Sequence, residues 1–117
     1  MRVLSEEECR NAMKKGEFEP SEGNCAIILA QSWCPQWKAM KNYLAEAEKR
    51  LSGLEIGYIE YDQVPWFEEF MNFKETVFSN RAIPYVRYYK NGKCCSWSNF
   101  LSLEGFLHRF EVELEVK

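Results

Sequence analysis

The feature that most constrains this chain is a short passage where an apolar run breaks into Ser32-Trp33-Cys34-Pro35 and an amphipathic pattern begins at once. Cys25 to Gln31 is a continuous, largely apolar run of strand length, as expected of a central strand covered on both faces. From Gln36 onward Trp37, Met40, Leu44, Ala47 and Leu51 recur at three- and four-residue steps, with Lys38, Lys41, Glu46 and Lys49 elsewhere on the wheel, until Gly53 stops the helix. A buried strand therefore hands Trp33-Cys34 directly to a helix start, with Pro35 at a first-turn position where a missing N–H costs nothing. The first-turn amides and the positive end of the helix dipole then face the Cys34 sulfur, a setting that stabilises negative charge and that nucleophilic cysteines use.

The rest of the sequence builds an α/β chain around that junction. Ser5-Glu6-Glu7-Glu8 has the pattern of a capping box and opens a helix expected to run to about Lys15 and end at Gly16. A loop follows through Glu19-Pro20-Ser21-Glu22-Gly23-Asn24. Leu54 to Tyr61 alternates like a strand, Val64 to Phe73 reads as a short aromatic helix, and Ser79 to Ala82 as a loop. Tyr85 to Lys90 and Lys93 to Ser98 are two strands joined by Asn91-Gly92, the strongest two-residue hairpin signal. Ser102 can cap a last helix with Leu103, Phe106, Leu107, Phe110 and Leu114 on one face, and Arg2 to Leu4 could add a short first strand. At 117 residues the chain, 1–117, is expected to be one domain, its sheet mixed, with a parallel part and a terminal antiparallel hairpin.

Charge and composition exclude several functions. Fifteen basic residues against 18 acidic give a net charge of −3 with no basic stripe, so no nucleic-acid partner is expected. The longest apolar run is far too short to span a membrane. Met1 to Glu8 turns acidic at once, so no signal peptide is expected and a cytoplasmic location follows as the default. Aromatics at 15% exceed what a small core hides, which puts some rings on a contact surface.

The 5 cysteines, Cys9, Cys25, Cys34, Cys94 and Cys95, are odd in number and form no C-x-x-C. With no C-x-x-C spacing and 1 histidine, the patterns of the common zinc sets are missing, so no metal site and no cofactor are expected. His108 reads as a surface residue of the last helix. Cys94 and Cys95, adjacent on a strand, point to opposite sheet faces, one expected buried and one exposed.

Three segments carry a family resemblance. Trp33-Cys34-Pro35-Gln36-Trp37-Lys38 resembles the Trp-Cys-Gly-Pro-Cys-Lys of thioredoxins. Tyr61-Asp62-Gln63-Val64-Pro65 resembles their Ile-Asp-Gln-Asn-Pro. Ala82-Ile83-Pro84, followed by a strand and an Asn-Gly hairpin, resembles their Gly-Ile-Pro segment. The match spans roughly Ala26 to Phe110. It implies a thioredoxin fold, a central mixed β-sheet flanked by helices, with Ile83-Pro84 as a cis peptide beside Cys34.

Departures from the family are concentrated at the chemistry. Trp37 stands where the family has its second cysteine, Ile28 where it has a buried Asp and Tyr58 where it has a Lys. Cys34 therefore cannot form the usual local disulfide, and the implied proton-handling groups are missing. Pro35 after the cysteine is shared with glutaredoxins, but no Thr-Val-Pro and no Gly-Gly-x-Asp glutathione clamp follow. Cys25 begins the strand that ends near Cys34, about 20 Å away, against the roughly 7 Å between Cα atoms that a disulfide allows. Cys94 and Cys95 belong to the far, hairpin end of the sheet.

Two functions remain. In the first, Cys34 is the catalytic thiol of a monothiol oxidoreductase acting on protein thiols or disulfides, with an external thiol, glutathione among the candidates, resolving the mixed disulfide. Trp33, Pro35, Trp37, Ile83, Pro84 and Tyr85 then line the substrate groove. In the second, the chain is a redox-inactive binding module. Trp37 is either a core residue of its helix or part of a docking patch with Trp33. The oligomeric state is not set by the sequence.

Overall fold

The computed structural model describes residues 1–115, with side chains to Phe110. Its elements are β1 (Arg2–Val3), α1 (Glu6–Lys15), β2 (Asn24–Ala30), α2 (Pro35–Arg50), β3 (Glu55–Glu60), a 3₁₀ turn at Tyr61–Gln63, α3 (Phe67–Thr76), β4 (Tyr85–Lys90), β5 (Lys93–Ser98) and α4 (Leu103–Glu115). Leu114, expected on the apolar face of the last helix, lies outside the described side chains.

Local chemistry accounts for most of these boundaries. The Ser5 side chain accepts from the Glu8 amide and the Glu8 carboxylate accepts from the Ser5 amide, closing the capping box of α1. Gly16 ends that helix at φ 81°, where a residue with a Cβ would be strained. Asn91 (φ 51°) and Gly92 (φ 81°) give the left-handed pair that joins β4 to β5. One boundary differs from the sequence expectation. The aromatic helix begins at Phe67 rather than Val64, and reaches Thr76. The cause is Pro65, which keeps the preceding residue extended; Val64 sits at φ −117°, ψ 149°.

The sheet order is β1-β3-β2-β4-β5. β3 runs parallel to β1 and β2, whereas β4 is antiparallel to both β2 and β5. Each face carries its own core. On one, Ala26, Ile28 and Ala30 of β2 pack with Trp37, Met40 and Leu44 of α2 and Phe106 and Phe110 of α4. On the other, Cys25, Ile27 and Leu29 pack with Cys9 and Ala12 of α1 and Phe70 and Phe73 of α3. The helices after β2 and β3 thus leave to opposite faces. The C-terminal ends of adjacent parallel strands at such a divergence are the usual place for a site in an open α/β sheet.

Candidate functional site

Cys34 lies just beyond the C-terminal end of β2 as the N-cap of α2, at φ −71°, ψ 118°, with Pro35 beginning the helix. The turn that delivers it is closed by the Cys34 amide donating to the Gln31 carbonyl (3.1 Å). A carboxylate from the neighbouring strand end holds the same turn. Asp62 accepts from the Ser32 amide (2.7 Å) and the Ser32 hydroxyl (2.5 Å), and Gln63 Nε2 donates to both Asp62 (2.9 Å) and Ser32 Oγ (3.1 Å). Burial pushes the Asp62 carboxyl upward, but the bonds from Ser32 and Gln63 outweigh it and hold the group below its ordinary value.

The sulfur faces the loop before β4. Cys34 Sγ donates to the Ile83 carbonyl at 3.7 Å, and the Ile83–Pro84 peptide bond is cis. Cys34 is only 4% exposed, and the half-buried Ile83 packs against the cluster that contains it. Trp33, beside it, is 59% exposed, its indole N–H donating to Gln31 Oε1 (2.7 Å), and Pro35 is exposed as well. Cys34, Ile83 and Pro84 are therefore brought together, with Trp33 and Pro35 at the rim.

Trp37 and Tyr85 are not on that rim. Trp37 is fully buried, which decides between its two readings: it is a core residue of α2 and not part of a docking patch. Its indole N–H donates to Glu60 Oε2 (2.8 Å), which also pairs with Lys41 (3.2 Å), and its ring lies 5.4 Å from that of Tyr58. Ile28 pairs with Tyr58 across β2 and β3. The residues at all three family departures, Ile28, Trp37 and Tyr58, belong to one apolar cluster on the Cys34 side of the sheet. Tyr85 points to the opposite face because it begins the strand phase shared with Arg87 and Tyr89; its hydroxyl accepts from Arg87 (2.8 Å). That arginine also binds Glu17, as does the Tyr89 hydroxyl.

Cys9, Cys25 and Cys94 belong to the opposite face, whereas Cys95 packs against the cluster that contains Cys34. Cys9 and Cys25 are buried in the opposite core, where burial first, and nearby carboxylates second, push their thiols up to about 12 and about 11. Cys94 and Cys95 do face opposite sides, but both are half-buried rather than one buried and one exposed, since β5 is an edge strand and neither face of it is fully covered. Among the described residues no cluster of three or more His, Cys, Asp or Glu could hold a metal ion. No described helix is long and apolar enough to cross a membrane.

Two polar residues near the site were not foreseen. Lys74 of α3 is fully buried, its ammonium donating to the Asn80 (2.7 Å) and Ala82 (2.8 Å) carbonyls. Its spacing from Phe70 placed it in the helix's buried phase, which was the available signal. Asn99 donates to the Pro84 carbonyl at 2.9 Å, and nothing local in the sequence marks it.

No protein-family model and no curated protein sequence matches this chain. Among solved structures it is similar to thioredoxin O1 from Arabidopsis thaliana in the oxidized state, at 17% identity and a TM-score of 0.68, covering 94% of each chain. It is also similar to thioredoxin O2 from the same plant, at 15% identity and a TM-score of 0.68, covering 94% of this chain and 90% of that one. At these identities the likeness carries the fold, and the mixed five-stranded sheet with helices on both faces is a thioredoxin fold.

Proposed function

We propose that this protein carries out monothiol thiol–disulfide exchange through Cys34, on protein thiols or disulfides in a reducing, cytoplasm-like setting. The observation that carries this reading is the placement of Cys34 at the N-cap of α2 with its sulfur 3.7 Å from the Ile83 carbonyl, beside Pro84. The Cys34 thiolate attacks one sulfur of a disulfide R–S–S–R′. The Cys34–S–S–R bond forms, the R–S–S–R′ bond breaks, and R′S⁻ leaves to take a proton from solvent. With Trp37 in the first turn there is no internal thiol to close a local disulfide. A second external thiolate, of which glutathione is the commonest source, attacks the sulfur of R and releases Cys34 as thiolate. Trp33 and the backbone of Ile83-Pro84 flank the sulfur and supply the docking rim for an extended segment.

Oxidised glutathione or a small aromatic disulfide tests this directly, with adducts mapped by mass spectrometry on the folded protein. One adduct at Cys34, lost in Cys34→Ser and reversed by reduced glutathione, is the expected result. No adduct at Cys34, or equal labelling of Cys34 and the half-buried Cys94, overturns it.

A second reading, a binding module without redox turnover, is favoured by the apolar cluster of Ile28, Trp37 and Tyr58 beneath Cys34 and by the exposed Trp33. It requires that a partner trapped from lysate still bind Cys34→Ser, and bind Trp33→Ala more weakly.

A further inference from the structure

The loop from Ser79 to Pro84 carries the Ile83 carbonyl that meets Cys34 Sγ, yet it contains no regular hydrogen-bonded element of its own. What fixes it comes from two sides. From α3, Lys74 Nζ reaches in to the carbonyls of Asn80 (2.7 Å) and Ala82 (2.8 Å). From the segment after β5, Asn99 Nδ2 donates to the Pro84 carbonyl (2.9 Å), more distantly to Ala82 (3.3 Å), and to Asn80 Oδ1 (3.0 Å). Asn80 Nδ2 answers to Asn99 Oδ1 (3.1 Å), and Asn80 Oδ1 also takes the Ala82 amide (3.0 Å). The carbonyls on either side of Ile83, those of Ala82 and Pro84, are thus both pinned, and the Ile83 carbonyl between them is the one left to meet Cys34.

A lysine with no exposed surface is an expensive way to hold a loop, because its amine must leave water and is matched here by neutral carbonyls. An apolar side chain at that buried position of α3 would avoid the cost but could not hold two carbonyls at a set distance. We infer that Lys74 and Asn99 are positioning residues, a two-sided clamp that holds the Ile83 carbonyl against Cys34 and limits access of reagents and substrates to its sulfur. This rests on the reading of Cys34 as the reactive thiol only in its biological meaning, since access to the sulfur can be measured without any disulfide exchange.

The chain carries its own controls. Cys9 and Cys25 are buried in the core beneath α1 and α3, on the sheet face away from Cys34, so their modification reports opening of that core rather than loss of the Ile83–Cys34 contact alone. The full-length protein, as wild type, Lys74→Met and Asn99→Ala, is pulsed with iodoacetamide under native conditions and alkylation is mapped at each cysteine. Cys34 alkylation is expected to rise about tenfold or more in Lys74→Met, the population change that loss of one hydrogen bond to a charged group produces, and about threefold or more in Asn99→Ala, which loses neutral bonds, while Cys9 and Cys25 are unchanged. An unchanged Cys34 rate in both variants overturns the inference. So does a rise shared equally by Cys9, Cys25 and Cys34, which marks general destabilisation. Asn99→Ala removes no buried charge and keeps the test open if Lys74→Met does not fold. Failure of wild-type Cys34 to take a glutathione adduct, with the clamp effect on alkylation intact, refutes the exchange function and leaves the clamp standing.

Discussion

Trp37→Cys writes a Cys-x-x-Cys into α2, and its first consequence is loss of stability. The indole is fully buried, between the Tyr58 ring at 5.4 Å and the Lys41 ammonium at 5.4 Å, with its N–H on Glu60. Truncating a buried tryptophan costs about 3–5 kcal/mol, and a thiol refills little of the space, so about 3 kcal/mol is the lower bound. Glu60 keeps Lys41 as a partner and is partly exposed, so the severed indole bond adds little. For a domain of this size each kcal/mol moves the midpoint by about 4 °C, which gives a fall of about 12 °C or more. Against the ~5–15 kcal/mol typical of native proteins the variant stays folded, and thermal unfolding followed by circular dichroism reads the shift. Trp37→Phe keeps most of the ring volume and is expected to lose less than half as much. A fall under about 4 °C for Trp37→Cys would refute the view that Trp37 is a core residue of α2.

The remaining predictions concern charge and the thiol. Burial pushes Lys74 down to about 8 from an ordinary value of 10.5, with Glu75 on its own helix opposing and the Tyr85 ring above it. The unfolded chain therefore holds a proton there that the folded one has released between those values. Wild-type stability relative to Lys74→Met should rise by about 3 kcal/mol from pH 8 toward pH 10.5, measured by urea unfolding. The difference between the two proteins is the quantity to take, because the raised thiols of Cys9 and Cys25 pull both the other way; a flat difference refutes it. The Arg2 guanidinium, and then the Ser5 amide, hold Glu8 down to about 2 against burial, so the stability it contributes is present above its ordinary 4.5 and lost as pH falls toward 2. Glu8→Gln should flatten that acid limb, and an unchanged limb would remove the Arg2–Glu8 pair from the account. Cys34→Ser should leave the free energy of unfolding within about 1 kcal/mol of wild type, because hydroxyl replaces thiol at a helix cap that prefers serine, while abolishing the glutathione adduct.

How much of this was written in the sequence depends on how local each cause is. The capping box at Ser5, the hairpin at Asn91-Gly92 and the delivery of Cys34 to a helix start each rest on neighbours within a few residues, and each stands where the pattern placed it. The start of α3 was equally local, but the helical spacing of its aromatics hid the effect of Pro65 on Val64. Burial of Trp37 was half legible: its phase in α2 pointed inward, whereas its place beside Cys34 pointed to a contact surface. Only the partners brought from β3, Glu60 and Tyr58, decide between the two. Tyr85 follows the same rule in reverse, since adjacency to Pro84 suggested the groove and strand alternation sent it to the other core. Lys74 and Asn99 meet across a loop from elements far apart in the chain, which no local pattern encodes.

That the three departures share one apolar cluster bears on what could be restored. Ile28 and Tyr58 face each other across β2 and β3, and the Trp37 ring packs on Tyr58, so each side chain is shaped by the others. A carboxylate introduced at Ile28 alone would sit in a fully buried, apolar position with Trp37 and Tyr58 still in place, and an unpaired charge there costs several kcal/mol. Residues in contact do not add, so Trp37→Cys combined with Tyr58→Lys and Ile28→Asp should differ from the sum of its parts by more than about 0.5 kcal/mol. Urea unfolding of the three single variants and the triple variant measures that coupling. Simple additivity would mean that the three side chains do not shape one another, and would refute the coupling read from their packing.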